Sequence, residues 1–129
     1  PTGATYKDDM GRVEIDYDKC IGCRMCMAAC PYNVRVFNWD DPMRDPDFNY
    51  GDIRVPVRTR GIMEKCTLCK ERTDDGDRPM CVICFPTHAR VFGDLDDPDS
   101  ELARFRSTKD IHLLLEDKGT EPQVFYFDN

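Results

Sequence analysis

The feature that most constrains this chain is the run Cys20-Ile21-Gly22-Cys23-Arg24-Met25-Cys26-Met27-Ala28-Ala29-Cys30, followed by Pro31. Cysteines spaced two, two and three residues apart put three thiolates on one tight loop. There they can converge on three corners of a cubane iron–sulfur cluster, and in two-cluster proteins the fourth thiolate points to a different cluster. At Gly22 there is no side chain to obstruct backbone N–H groups that approach cluster sulfurs. Pro31 cannot continue a helix and turns the chain just past the last ligand. The chemistry this offers is the movement of electrons one at a time.

A second group comes later, Cys66-x-x-Cys69, eleven residues, then Cys81-x-x-Cys84. Cys66, Cys69 and Cys81 supply three thiolates to a second cluster, with Cys30 as its fourth. Cys20, Cys23 and Cys26 hold the first cluster and need one more ligand, and Cys84 is the cysteine left to provide it. All eight cysteines are then used. A competing reading pairs Cys66, Cys69, Cys81 and Cys84 around one tetrahedral zinc ion and leaves Cys20, Cys23, Cys26 and Cys30 to one cluster. That reading strands Cys30, which the spacing aims away from its neighbours.

Composition narrows the remaining classes. Eight cysteines in 129 residues is heavy use, but tight Cys-x-x-Cys spacing suits metal ligation better than disulfide geometry. With 40% apolar residues the core is expected to be thin, so bound clusters are expected to staple the fold. A net charge of −7 without a basic groove argues against nucleic-acid binding. No apolar run approaches the roughly 18 residues that span a bilayer.

The pattern predicts small α+β units. Arg12 to Asp16 alternates and reads as a strand, Arg24 to Cys30 as a short helix, and Val34 to Phe37 as the returning strand. Asn38 to Arg60 holds three prolines, many aspartates and Gly51, and reads as a polar loop. It exceeds the roughly 12–15 residues usual for a structureless connection, which suggests a contact with a partner. Further on, the pattern predicts a helix over Thr67 to Thr73, a strand at Val91 and Phe92, and a helix over Asp99 to Arg106 capped by Asp99 or Ser100. β-prone stretches at Ile111 to Leu115 and Gln123 to Phe127 flank a Lys118-Gly119 turn.

A phrase also recurs. Pro1 to Tyr6, Pro31 to Phe37 and Pro86 to Gly93 each run from a proline turn into a β-prone stretch. Cysteine ligands precede the second and third copies, so a cysteine motif is expected upstream of Pro1, in a longer protein of which this is the C-terminal part.

The segments Val13 to Arg24, Met27 to Tyr32, Glu64 to Cys69 and Arg90 to Pro98 resemble the four-cluster iron–sulfur (beta) subunits of molybdopterin oxidoreductases, such as the polysulfide, DMSO and nitrate reductases. The resemblance covers most of the chain outside residues 38–60. It implies a bacterial ferredoxin-like, two-cluster 4Fe-4S domain over residues 1–98 with an inserted loop at 38–61, and a C-terminal extension of helix and strands at 99–129. It further implies a non-catalytic electron relay between a molybdopterin catalytic subunit and a quinone-linked integral-membrane subunit, peripheral to the cytoplasmic membrane. One residue departs from the pattern. The last motif of the family resembles Cys-x-x-x-Cys-Pro, whereas here Cys84 comes one place early and Phe85 stands at the ligand position. Either the loop shifts so that Cys84 ligates, or the first cluster loses an iron and becomes a 3Fe-4S cluster. A free two-cluster ferredoxin and a zinc-stabilised interaction module are the other functional readings. Against the first stand the long loop and the residues after Gly93, which a minimal carrier does not need.

Lys65 and Lys70 are candidate tuners of cluster potential, beside the backbone amides near Gly22 and Arg24. His88 and His112 read as surface or turn residues, and Trp39 as a packing or subunit-contact residue.

Overall fold

Alternation in the first fifteen residues produces an antiparallel hairpin. Strand β1 (Thr5–Lys7) pairs with β2 (Val13–Ile15), with Tyr6 opposite Glu14. The turn between them closes through the Asp8 carboxylate, which accepts the Arg12 backbone N–H at 2.9 Å, and through Gly11 at φ 77°. The computed structural model describes residues 1–128, and the chain divides into two units, Pro1–Gly76 and a second from Asp77 on.

In the first unit, the Cys20–Cys30 run contains helix α1 (Met25–Ala29). It ends at Cys30, whose extended backbone (φ −81°, ψ 113°) is the conformation Pro31 imposes on its predecessor. Strand β3 (Val36–Phe37) pairs with β4 (Met63–Glu64), Phe37 opposite Met63. Residues 38–62 carry no helix or strand, as the proline and aspartate content predicts. Helix α2 (Lys70–Asp74) comes directly after Cys69. It starts later than the predicted Thr67 because Leu68 (φ 54°) and Cys69 (φ 51°) are left-handed and cannot begin a helix.

The second unit contains α3 (Met80–Ile83), α4 (Glu101–Thr108), and β5 (Ile111–His112) paired with β6 (Tyr126–Phe127). Ser100 caps α4, its hydroxyl accepting the Ala103 N–H at 3.1 Å. Phe105 and Phe127 meet edge to face at 4.7 Å and join α4 to β6. The strand expected at Val91 and Phe92 does not form. Gly93 instead lies so close to α4 that a Cβ there would stand 2.8 Å from the Leu102 Cβ, and β5 and β6 take each other as partners.

The core is as thin as the composition suggests. Among the described residues the buried apolar side chains are Ile15, Ile62 and Met63 in the first unit and Pro79 in the second. Three two-stranded sheets cannot bury much more, since an isolated two-stranded ribbon is marginal in water. Arg12 and Glu14 are each 6% exposed, whereas Val13 between them is 39% exposed. On β2, then, the polar face is turned inward.

Candidate metal centre

The first cysteine loop is shaped by its backbone. Gly22 (φ 63°) and Arg24 (φ 61°) are left-handed. A Cβ on Gly22 would stand 1.9 Å from the Gly61 carbonyl oxygen and 3.0 Å from the Phe37 ring. Only glycine fits here, and the obstruction is a neighbouring strand end rather than a cluster sulfur alone. The Met63 backbone N–H is directed at Cys20 Sγ, with N and S 3.5 Å apart. The β3–β4 hairpin therefore forms the floor of the loop and offers a donor to a ligand sulfur.

Arg24, between Cys23 and Cys26, lays its guanidinium over Phe37 (5.4 Å) and Trp39 (5.3 Å), and these two rings meet edge to face at 4.7 Å. Trp39 thus packs against the first loop through Phe37 and Arg24.

The second loop, Cys66 to Cys69, uses the same devices. Left-handed Leu68 turns its backbone N–H toward Cys66 Sγ at 3.4 Å. The helix after Cys69 is anchored by Arg12. The Arg12 guanidinium donates to Asp8 Oδ2 (2.8 Å), Thr73 Oγ1 (2.6 Å) and Asp74 Oδ1 (2.6 Å), which ties α2 to the β1–β2 turn. Burial pulls the Asp8 carboxyl upward, but the Arg12 hydrogen bonds and charge outweigh it and hold it below the usual carboxylate range. Hydrogen bonds from Lys70 and Arg12 lower Asp74.

The candidate tuners differ in setting. Lys70 is paired with Asp74 at 2.6 Å. Lys65 is half-buried and donates to the Cys66 carbonyl at 2.5 Å. Burial depresses the Lys65 ammonium, and the Glu14 carboxylate partly opposes this.

In the second unit Cys81 lies in α3 and Cys84 at its C-terminal cap, both exposed. Cys84 Sγ lies 3.2 Å from Met80 Sδ. The Phe85 ring, at the position where a ligand is expected, carries the Arg90 guanidinium 4.6 Å above it. His88 is a left-handed loop residue (φ 51°), and His112 stacks on Tyr126 at 5.8 Å.

All eight cysteines are free thiols. Among the described residues no group of three or more His, Cys, Asp or Glu stands close enough together to hold a single metal ion. The donor set nevertheless suits an iron–sulfur cluster. It offers soft thiolates in Cys-x-x-Cys pairs, a strand N–H and the N–H of a left-handed residue each directed at a sulfur, and a glycine cradle that admits no side chain. Spacing alone points to Gly22 but misses Gly61, Phe37 and Met63. The signal for these is indirect: a two-residue strand at Phe37 needs a partner, and Gly61-Ile62-Met63 is the apolar stretch that ends the loop. Alternation identifies Arg12 as a strand residue and gives no sign that it anchors α2.

Comparison with known proteins agrees with this chemistry. The family described as "4Fe-4S binding domain" matches residues 12–34, and that described as "4Fe-4S dicluster domain" matches residues 51–95. The chain is 54% identical over 128 residues to the putative dimethyl sulfoxide reductase iron-sulfur subunit of Halobacterium salinarum, which covers 99% of this chain and 48% of that protein. It is 40% identical over 140 residues to a subunit of the selenate reductase of Mesobacillus selenatarsenatis, covering 98% of this chain and 48% of that one. To a chain of the polysulfide reductase of Wolinella succinogenes it is 35% identical over 130 residues, covering 100% and 58%. The chain spans about half the length of the curated relatives it matches. The relatives favour neither a free ferredoxin nor a zinc module. The protein belongs to the iron–sulfur (beta) subunit family of molybdopterin oxidoreductases and carries 4Fe-4S binding domains.

Proposed function

We propose that this chain holds two iron–sulfur clusters and relays electrons singly between a molybdopterin catalytic subunit and a quinone-linked membrane subunit. Cys20, Cys23, Cys26 and Cys84 would hold the first cluster, and Cys66, Cys69, Cys81 and Cys30 the second. When bound, such clusters supply reversible one-electron storage, at potentials set by charge, burial and hydrogen bonds to sulfur.

The observation that carries the reading is the direction of two backbone N–H groups toward ligand sulfurs, Met63 to Cys20 and Leu68 to Cys66. Such donors stabilise a negative sulfur more than a neutral one, so they favour thiolate ligation and ease reduction. Arg24 adds a fixed positive charge between two ligands, held in place by Phe37 and Trp39. The long loop supports a subunit contact, because Met43 and Ile53 are almost fully exposed there and Phe48 is 62% exposed. In this reading residues 1–98 form the two-cluster domain with the loop at 38–61 as an insertion, and residues 99–129 an extension. The complex would sit peripherally on the cytoplasmic membrane. No described helix is long and apolar enough to cross a membrane.

A second reading of the first cluster, as a 3Fe-4S cluster, is favoured by one observation. Phe85 stands at the ligand position under Arg90, and Cys84 lies beside Met80. Iron and sulfide analysis of anaerobically purified protein, with EPR of the oxidised state, tests both readings. Eight irons and no oxidised-state three-iron signal support Cys84 as the fourth ligand, whereas seven irons with that signal support the alternative. A folded, colourless protein with paired cysteines would refute the proposal.

A further inference from the structure

One buried group has no role in ligation. Glu14 lies on β2, is 6% exposed, and its Oε1 meets no hydrogen-bond donor. A charged carboxylate in that position is costly unless it is paired or holds a proton. The cations around it are committed elsewhere. Lys70 is bound to Asp74, Arg54 to Asp52 and Asp75, and Arg58 donates to Tyr17 and faces Glu64. Arg12 is engaged by Asp8 and Asp74, and Lys65 by the Cys66 carbonyl.

Glu14 lines a cavity of about 350 Å³ in the first unit. The other titratable groups on its walls are the Tyr6 and Tyr17 phenols, the carboxylates Glu71 and Asp74, and the cations Arg54, Arg58 and Lys70. Apart from Glu14 the wall holds two carboxylates and three cations, but each of those cations is already bound to another acceptor, so none is left as a direct ion-pair partner for Glu14. Burial raises the Glu14 carboxyl, with Asp8 adding to that rise and Lys65, Arg12 and Lys70 opposing it. Thr67, between Cys66 and Cys69, lines the same cavity as Glu14, and the neighbouring Lys65 ammonium donates to the Cys66 carbonyl, so the carboxyl and the second cysteine loop share one site.

We infer that Glu14 is a proton-binding site coupled to electron arrival at the Cys66–Cys69 loop. The inference rests on the proposed cluster ligation. When one electron from a donor such as dithionite adds a negative charge at that loop, Glu14 takes one proton from solvent through its cavity. When the electron leaves, Glu14 returns the proton. The added charge is balanced within the same unit, and the step is one electron and one proton with no bond to carbon or sulfur made or broken. Glu14 is thus a positioning and proton-holding residue rather than a ligand.

The test is a set of EPR-monitored redox titrations of the iron-loaded chain, purified without oxygen, over a range of pH. In the window between the Glu14 pKa values of the oxidised and reduced protein, one cluster signal should ease its reduction tenfold for each unit of acidification, about 59 mV for a one-electron couple. Glu14→Gln keeps the shape, cannot titrate, and should abolish that slope. The reduced-minus-oxidised infrared spectrum should gain a protonated-carboxyl band in the wild type alone. Potentials independent of pH in the wild type overturn the inference whether or not the variant folds. So does a slope that survives in Glu14→Gln. Protein that folds without binding iron overturns the parent reading and this inference with it, and the iron assay separates that failure from the others.

Discussion

The two cysteine loops of the first unit and the cysteine pair of the second solve the same ligand spacing differently. Around Cys20 to Cys26 and Cys66 to Cys69, left-handed residues, a glycine cradle and N–H groups aimed at sulfur shape the backbone before any metal is considered. Cys81 and Cys84 instead ride on one turn of helix, exposed, with a sulfur of Met80 beside Cys84. The first arrangement places its thiols by the packing of a hairpin. In the second, placement comes from helical periodicity alone, because residues three apart share a face. The contrast implies that the first unit pays the ordering entropy of its loops during folding, while the second leaves it to cluster binding.

The largest blow to this contrast should come from Gly22→Ala. A left-handed φ costs an ordinary residue about 1–2 kcal/mol, and overpacking against the Gly61 carbonyl adds about 1–3 kcal/mol. Urea unfolding of the metal-free chain should show the loss, and iron loading of the first cluster should fall with it. A variant as stable as the parent would mean that the hairpin does not pre-shape the loop.

Arg12→Met should come next, at about 2–3 kcal/mol, because it leaves Asp8 facing a site from which its charge partner has gone. The sign with pH is fixed by the lowered carboxyls. Asp8 and Asp74 contribute stability that is present above their unfolded pKa and lost as pH falls through the depressed folded values. The gap between parent and variant should therefore be full at neutral pH and shrink on acidification through that range. Unfolding midpoints at a series of pH values check this. A gap that does not change with pH would assign the loss to packing of the arginine stem.

How much of the molecule is legible in its sequence divides along the same line. Cysteine spacing announces both loops, and Pro31, Gly76 and Ser100 mark where helices stop or start. Strand β2, α1 and the long loop come from alternation, helix formers and prolines, whereas the pairing of β1 with β2 does not. The hidden features depend on contacts distant in sequence. The Gly22–Gly61 contact and the Met63 N–H belong to a strand of two residues, too short for periodicity to announce. Arg12-Val13-Glu14-Ile15 has the alternation of a strand with its charges outward, yet Arg12 finds acceptors on α2 about 60 residues away and turns that face inward. The expected strand at Val91 and Phe92 fails for the converse reason, since β propensity without a free partner forms no ladder.

Ser100→Ala sharpens the contrast from the other side. Loss of a helix cap costs about 1 kcal/mol, and here it should be confined to α4. Amide exchange should quicken at Ala103 while the Met63 and Leu68 N–H groups keep their protection. Spread of the effect to those two amides would show that the units do not respond separately.

The smallest effect on stability, and the most informative about ligation, should come from Cys84→Ser. An exposed cysteine at a helix end changes metal-free stability by about 0.5 kcal/mol or less. If its thiolate is the fourth ligand of the first cluster, iron should nonetheless drop from eight to seven or fewer, and an oxidised three-iron EPR signal should appear. Phe85→Cys makes the complementary change, since it restores a cysteine directly before Pro86 and removes the ring that carries Arg90. In the chain that already binds eight irons, this second variant should leave the iron count unchanged. In a chain that binds seven it should recover the eighth. The two variants together separate a shifted ligand from a missing one. A helix turn that contributes almost nothing to folding would then decide the composition of the cluster.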